Sequence, residues 1–288
     1  MRFVVMADPQ FGMFAAASRK TPEEIAAAAR RGIHFRPAPK TEGFAQETEL
    51  FEVAIARANR LKPAFVIVCG DMTNDPNSEA QRAELWRIAG KLDRSIPIRW
   101  VAGNHDCGAD TVVPTPESLA MYRRHFGPDY YSFEIAAGGD PSLFVVVNTS
   151  LLAHPHNVRS EFDAQFEFLE RTLAGVSAGT YRHVVAFGHH PLFLDSAGEA
   201  DAYWTVPGAA RGRVLGLFRE HGVRTMFSGH LHRNNYARDG DFEMVSSGPI
   251  GYPLGNDPSG YRIVTLSDRT VRHRYVSLES QDVEGMEA

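Results

Sequence analysis

Cysteine is scarce in this chain. Its 288 residues include two, Cys69 and Cys107. They form no Cys-x-x-Cys pair and no disulfide framework. Both read as small buried residues at strand ends, with a redox pair as the sharper alternative. Long apolar runs are also missing, and nothing approaches the ~20 residues a membrane span needs. Residues 2–8 already read as a core strand, which leaves no room for a signal peptide ahead of it. A cytoplasmic location with no membrane contact is therefore expected. Positive charge is not concentrated: the net charge is −5, which favours neither nucleic acid nor an acidic membrane as a stable partner. The pairs Arg30-Arg31 and Arg123-Arg124 read as helix-surface charges. There is no G-x-x-x-x-G-K-S/T phosphate loop and no G-x-G-x-x-G. A G-x-S-x-G run does occur at residues 175–179, but it follows a helix and precedes a strand, the reverse of a nucleophile elbow.

What is present is ordinary for a globular protein: 43% hydrophobic and 23% charged residues. The length suits one large α/β domain or two small ones. Residues 2–7 and 64–69 are continuous apolar runs of the kind that form buried parallel strands. Thr21-Pro22-Glu23-Glu24 predicts a capped helix ending near Gly32. A loop is expected from Ile33 to Gly43, where Pro37 and Pro39 stand. Phe44, Phe51, Ile55 and Ala58 recur at helical spacing. Ser78 and Gln81 predict a second capping box, on a helix through Leu85, Ile88 and Leu92. The strand 98–102 follows. Thr115-Pro116 opens a helix to Phe126-Gly127. Strands 131–135 and 143–147 flank a hairpin turn at Gly138-Gly139-Asp140. Helices through Phe162, Phe166 and Leu169 and through Val214, Leu217 and Phe218 alternate with strands 183–187 and 223–227. Strands 242–247, 261–266 and 270–276 close the chain. Periodicity supports an α/β protein with no repeat or linker. Residues 1–278 read as one domain and 279–288 as a polar, frayed tail.

Five polar clusters end five of these strands: Asp8-Pro9-Gln10, Gly70-Asp71, Gly103-Asn104-His105-Asp106, Gly188-His189-His190-Pro191 and Gly229-His230-Leu231-His232. The ends of strands in open α/β sheets are where chemistry is placed. Gly103 is expected to allow a tight turn. In this order the clusters resemble the calcineurin-like metallophosphoesterase superfamily, whose pattern is D-x-H, G-D, G-N-H-D/E, G-H and G-H-x-H. The resemblance runs from Met1 to about Ser267. Gln10 departs from it, standing where the family usually has His. The run Ala7-Asp8-Pro9-Gln10-Phe11-Gly12 resembles a branch that includes a phosphoserine/phosphothreonine protein phosphatase.

The resemblance implies a four-layer α-β-β-α sandwich with two mixed β-sheets. It also implies two metal ions, with Asp71 bridging, Asp8, Gln10 and His232 on the first, and Asn104, His189 and His230 on the second. Oxygen and imidazole ligands with one bridging carboxylate suit a two-metal hydrolytic site. The amide of Gln10 tilts the expectation toward Mn or Fe, with Mg or Zn as the other choices. The expected reaction is attack of metal-bound hydroxide on a phosphate ester, with His105 protonating the leaving oxygen. Some relatives orient this His with the Asp of a G-D-x-x-D run. Asn74 stands at that place here, so Asp106 or Asp75 is expected to do the orienting. Asn104, His190 and Arg233 are candidates for substrate contact. So are Phe14, His34, Phe35, Arg36, His154, Tyr203 and Trp204 on surrounding loops. A phosphomonoesterase, acting on phosphoserine or phosphothreonine, is the leading expectation. A phosphodiesterase on cyclic nucleotides or other diesters is the alternative, and a non-catalytic binding module on the same fold is more remote. The oligomeric state is open. His34, His125, His154, His156, His183, His221 and His273 read as surface or packing residues.

Overall fold

A computed structural model describes residues 1–36, 40–108, 113–136, 139, 141–176, 180–268 and 270–279. The elements run β1 (Arg2–Met6), α1 (Met13–Ser18), α2 (Pro22–Ala29), α3 (Ala45–Leu61), β2 (Val66–Cys69), α4 (Glu79–Ala89), β3 (Ile98–Val101) and α5 (Asn104–Cys107). Then come α6 (Pro116–Phe126), β4 (Tyr131–Ile135), β5 (Ser142–Val146), α7 (Thr149–Ala153), α8 (Arg159–Ala174) and β6 (His183–Phe187). The last are α9 (Gly208–Glu220), β7 (Thr225–Ser228), β8 (Asn235–Asp239), β9 (Phe242–Ser246), β10 (Gly260–Ser267) and β11 (Thr270–Ser277).

Two mixed sheets result, ordered β11-β10-β1-β2-β3 and β4-β5-β6-β7-β9-β8. In the first, β1, β2 and β3 are parallel out to the β3 edge, while β10 pairs antiparallel with β1 and β11; in the second, parallel β5, β6, β7 and β9 lie between antiparallel edge strands β4 and β8. Strand alternation builds the layers, because successive side chains point to opposite faces. Phe3, Val5 and Ala7 of the first strand region meet Phe144, Val146, Val185, Phe187 and Phe227 between the sheets. Phe3 stacks on Phe65 at 4.7 Å and meets Phe144 edge-on at 5.7 Å. Val4 and Met6, one residue out of step, pack instead with Phe51, Ile55, Leu85 and Ile88 of α3 and α4. On the far side Val145, Ala186 and Met226 pack with Phe166, Leu169, Val214 and Phe218 of α8 and α9. The layer order is thus α-β-β-α.

Local signals account for most boundaries. Thr21 caps α2 with the expected reciprocal box: its hydroxyl accepts Glu24 N–H at 3.2 Å, and Glu24 accepts Thr21 N–H at 2.7 Å. At α4 only half of the expected box forms. Ser78 accepts Gln81 N–H, but the Gln81 carbonyl oxygen is taken by Asp75 N–H. That helix ends at Ala89, so Leu92 lies beyond it. α1, α5, α7 and β8 were not expected; α1, α5 and α7 are too short to carry a 3.6-residue period. The strands expected from 64 and 223 start at Val66 and Thr225. Arg123 is more than a surface charge: it reaches Asp129 and Glu161, each at 2.6 Å, tying α6 to α8. β4 and β5 pair antiparallel as a hairpin, but Gly138 and Asp140 of the expected turn lie outside the described residues. So do Pro37, Pro39, Ser177 of the G-x-S-x-G run, and residues 280–288 of the expected tail.

Candidate metal centre and active site

The ends of β1, β2 and β3 in one sheet and of β6 and β7 in the other converge. They bring together Asp8, Gln10, Asp71 and Asn104 from the first, and His189, His230 and His232 from the second. None of the seven is more than 5% exposed. Burying so many polar groups is costly unless they are paired or hold a metal. The backbone is also strained here. Asp8, Gln10, Asp71, His230 and His232 all have φ between 33° and 70°. Left-handed backbone is uncommon outside glycine and costs of order 1–3 kcal/mol per residue, so its clustering marks a site rather than a scaffold.

Two glycines make the approach geometrically feasible. Gly103 has φ −100°, ordinary extended backbone, so the expected tight turn is not its role. A Cβ there would fall 2.2 Å from Asp71 Oδ1 and 2.3 Å from Asp71 N. Gly70, at φ +87°, would put a Cβ 2.3 Å from His189 Nδ1.

Two triads of donor atoms lie within 4.8 Å of one another: Asp71, His189 and His230, and Asp8, Asp71 and His232. Asp71 belongs to both, as a bridging carboxylate must. The imidazoles are turned by backbone carbonyls. His189 Nδ1 donates to Cys69 O at 2.8 Å, and His232 Nδ1 donates to Tyr252 O at 2.6 Å. Each therefore presents Nε2 to the site. His189 Nε2 faces Asn104 Oδ1 at 2.9 Å, His230 Nδ1 at 3.2 Å and Asp71 Oδ2 at 3.3 Å. His232 Nε2 lies 3.6 Å from Asp8 Oδ1. So many converging lone pairs require positive charge. Burial alone would depress His189, but Asp71 and Asp8 outweigh it and push it up to about 9. A proton on this imidazole takes the place that a cation would fill.

The other charges agree. Burial drives Asp8 well above the usual carboxylate range, against the pull of His189. Burial would raise Asp71 too, yet His189 and His105 hold it low. Burial holds His230 well below its ordinary value and lowers His232 to about 4. Both are therefore neutral near pH 7, the state in which imidazole binds metal.

Gln10 fits the same purpose. Its Nε2 donates to Asn74 Oδ1 at 3.2 Å, and its buried Oε1 has no partner among the described residues. Asn74 thus aims the amide so that the oxygen is left over. The Asn74 backbone carbonyl also meets His105 Nδ1 at 3.0 Å. The two departures from the family pattern, Gln10 and Asn74, touch each other.

His105 stands beside the triads without joining them. Its N–H donates to Asp71 Oδ1 at 2.8 Å. Its ring is oriented by the Asn74 carbonyl rather than by Asp106 or Asp75, which corrects the expectation for both. Asp106 accepts N–H from Asp71, Met72 and Gly103 at 2.7–2.9 Å, so both its oxygens brace the turns. Asp75 accepts Asn77 N–H. Burial and Asp71 push Asp106 up to about 7.

The expected substrate contacts divide. His190 is buried, its ring 4.2 Å from that of His230, and Thr149 Oγ1 meets its Nδ1 at 3.1 Å. Tyr203 and Trp204 lie 5.2 and 5.6 Å from the His230 ring. Arg233 is exposed. Phe14 and Phe35 pack on Tyr252, and Arg36 is tied to the carbonyls of Gly255 and Asp257, so these three build a wall. His154 meets His156, and His34 O accepts Gly255 N–H. Thr149, the roles of Asn74 and the carbonyls of Cys69 and Tyr252 were not foreseen. Carbonyl oxygens have no sequence signal, because every residue carries one. Cys69 and Cys107 are buried with no disulfide, and burial pushes both thiols well up. Burial thus disfavours the thiolate at both positions.

The chain is similar to several known proteins. A serine/threonine-protein phosphatase CPPED1 of Bos taurus is 37% identical over 248 residues, 84% of this chain and 77% of that protein. The protein of that name from Homo sapiens is 34% identical over 292 residues, covering 99% and 86%. Among solved structures, a dimetal phosphatase from Danio rerio aligns over 96% of both chains with a TM-score of 0.66 at 15% identity. A purple acid phosphatase from yellow lupin seeds gives a TM-score of 0.65 at 15% identity, over 96% of this chain and 51% of that one. These two show a shared fold. The pattern of calcineurin-like phosphoesterases matches residues 1–234. With that match spanning the strand ends where the triads form, the chain belongs to the calcineurin-like phosphoesterase family, and it is a metal-dependent phosphoric ester hydrolase.

Proposed function

We propose that the protein is a dinuclear phosphomonoesterase acting on phosphoserine or phosphothreonine. The observation that carries this is the pair of ligand triads sharing Asp71, with one imidazole, His105, left outside them. On this reading Asp8, Gln10, Asp71 and His232 hold one cation, and Asp71, Asn104, His189 and His230 hold the other. Mn or Fe suits the unpartnered amide oxygen of Gln10. Bound there, the cations supply Lewis acidity that neutralises phosphate oxygens and lowers the pKa of water. His105, held by the Asn74 carbonyl through Nδ1, offers Nε2 to the leaving oxygen as general acid. Asp106 holds the turns around Asp71 and Gly103 in register. The amide of Asn104 and the ring of His190 are the nearest donors to a phosphate at the centre.

Residues 1–278 are read as one catalytic unit. No helix among the described residues is long and apolar enough to cross a membrane. Two buried, unpaired cysteines suit a reducing compartment, which supports a cytoplasmic location.

The phosphoserine and phosphothreonine reading draws on the printed name of the relatives. It is tested with Mn²⁺-loaded protein on p-nitrophenyl phosphate, bis-p-nitrophenyl phosphate and a phosphoserine peptide. Turnover of the monoester and the peptide is expected. Preference for the diester would replace this reading with a phosphodiesterase, and turnover of none would leave a binding module.

A further inference from the structure

A cavity of about 480 Å³ adjoins the metal centre, lined by residues that include His34, Trp204, Leu231, Arg233, Asn256 and Asp257. It neighbours the site through three of its lining residues. Trp204 forms its wall and meets the His230 ring, while Leu231 and Arg233 flank His232. Its charge is uneven. Asp257, an acid on its lining, accepts Asn234 N–H at 2.6 Å, and the Arg36 guanidinium donates to the Asp257 carbonyl. Arg262 is electrostatically coupled to the same carboxylate. The Asp257 carboxylate thus has a backbone donor, Asn234 N–H, and a nearby cation, Arg262. Arg233 is exposed and forms no ion pair with any described residue. Arg31 adds a second guanidinium at the rim, over the Tyr203 ring at 5.9 Å, next to Gly32 of the lining. A protein of net charge −5 thus places two exposed guanidiniums, Arg233 on the lining and Arg31 beside it, near its phosphate site.

We propose that this cavity is a specificity subsite for an acidic side chain of a phosphopeptide, close to the phosphorylated residue, with Arg233 as the discriminating contact and Arg31 as its support. The inference rests on the phosphatase reading of the metal centre. The walls fit a peptide better than a bare anion: Trp204 offers an apolar face, and Asn256 offers amide donors and acceptors. A guanidinium pairs a carboxylate through two parallel N–H bonds. Charge complementarity at such a rim selects partners more than it adds affinity.

The test uses one phosphoserine peptide with Glu, Ala or Lys flanking the phosphorylated position. Turnover of the three by Mn²⁺-loaded protein is measured beside p-nitrophenyl phosphate. Binding of the same peptides with a non-hydrolysable phosphonate is followed by fluorescence anisotropy, with and without Mn²⁺. The Glu peptide should bind about tenfold tighter than the Lys peptide, a difference of about 1.4 kcal/mol. Arg233→Glu should cancel or invert that ratio, and Arg31→Ala should reduce it. Circular dichroism melts confirm that the variants fold. Equal binding of the three peptides, or a ratio unmoved by Arg233→Glu, would overturn the subsite. Absence of turnover on every ester, with the binding preference intact, would instead overturn the phosphatase reading and leave the subsite standing.

Discussion

At the residue scale, the chemistry turns on which atoms are left without a partner. Gln10 spends its amide hydrogens on Asn74 and keeps Oε1 free. An amide oxygen is a harder and weaker ligand than imidazole. Gln10→His should therefore raise zinc occupancy of the first position, read by elemental analysis after dialysis. Equal zinc content in both proteins would refute it. Asn74 separates two roles in one residue, since its side chain holds Gln10 and its backbone holds His105. Asn74→Leu removes only the first and should weaken metal retention by about 10–100-fold. His105→Asn should leave metal content intact and lower kcat by about 10²–10⁴-fold. That loss should be smaller for p-nitrophenyl phosphate than for a phosphoserine peptide, because p-nitrophenolate leaves with little help from an acid. Metal loss in His105→Asn would place this imidazole among the ligands. The ligand letters were legible in the sequence as types at strand ends. The partner of each ring was not.

At the element scale, the strands were legible and the short connections were not. β1, β2, β5 and β6 are continuous apolar runs because both faces of each are covered. α1 and α5 are single-turn or near-single-turn helices, too brief to show a period. The β10–β11 edge carries a pH response. Arg262 on β10 donates to His273 Nδ1 on β11 at 2.9 Å. Burial and Arg262 lower His273 to about 4, below its ordinary 6.5. The unfolded chain then binds more protons than the folded one between those values. This contribution to stability is complete above about pH 6.5 and is lost as pH falls toward about 4. His273→Gln should flatten the dependence of the urea midpoint on pH within that window. An unchanged slope would mean that the imidazole protonates without penalty.

At the scale of the whole molecule, the candidate metal centre lies between two sheets. Asp8, Asp71 and Asn104 come from one sheet, and His189, His230 and His232 from the other. A cation bound there stabilises the folded state over the unfolded by mass action, about 2.7 kcal/mol at one hundred times Kd. Adding Mn²⁺ to chelator-treated protein should therefore raise Tm, and Asp71→Asn, which removes the shared charge, should abolish most of that rise. A Tm indifferent to Mn²⁺ would show that the sheets close without it.

Read by itself, the sequence determined the α/β class, the order of the strand-end clusters, the candidate ligand types and the unusual Gln10. These are properties of side chains, and each has a letter. Tertiary structure alone decided that the clusters meet, that Asn74 and not an aspartate orients His105, and that an exposed Arg233 borders a cavity. Those outcomes depend on backbone carbonyls and on distances between sheets, and neither is written in the identity of any one residue.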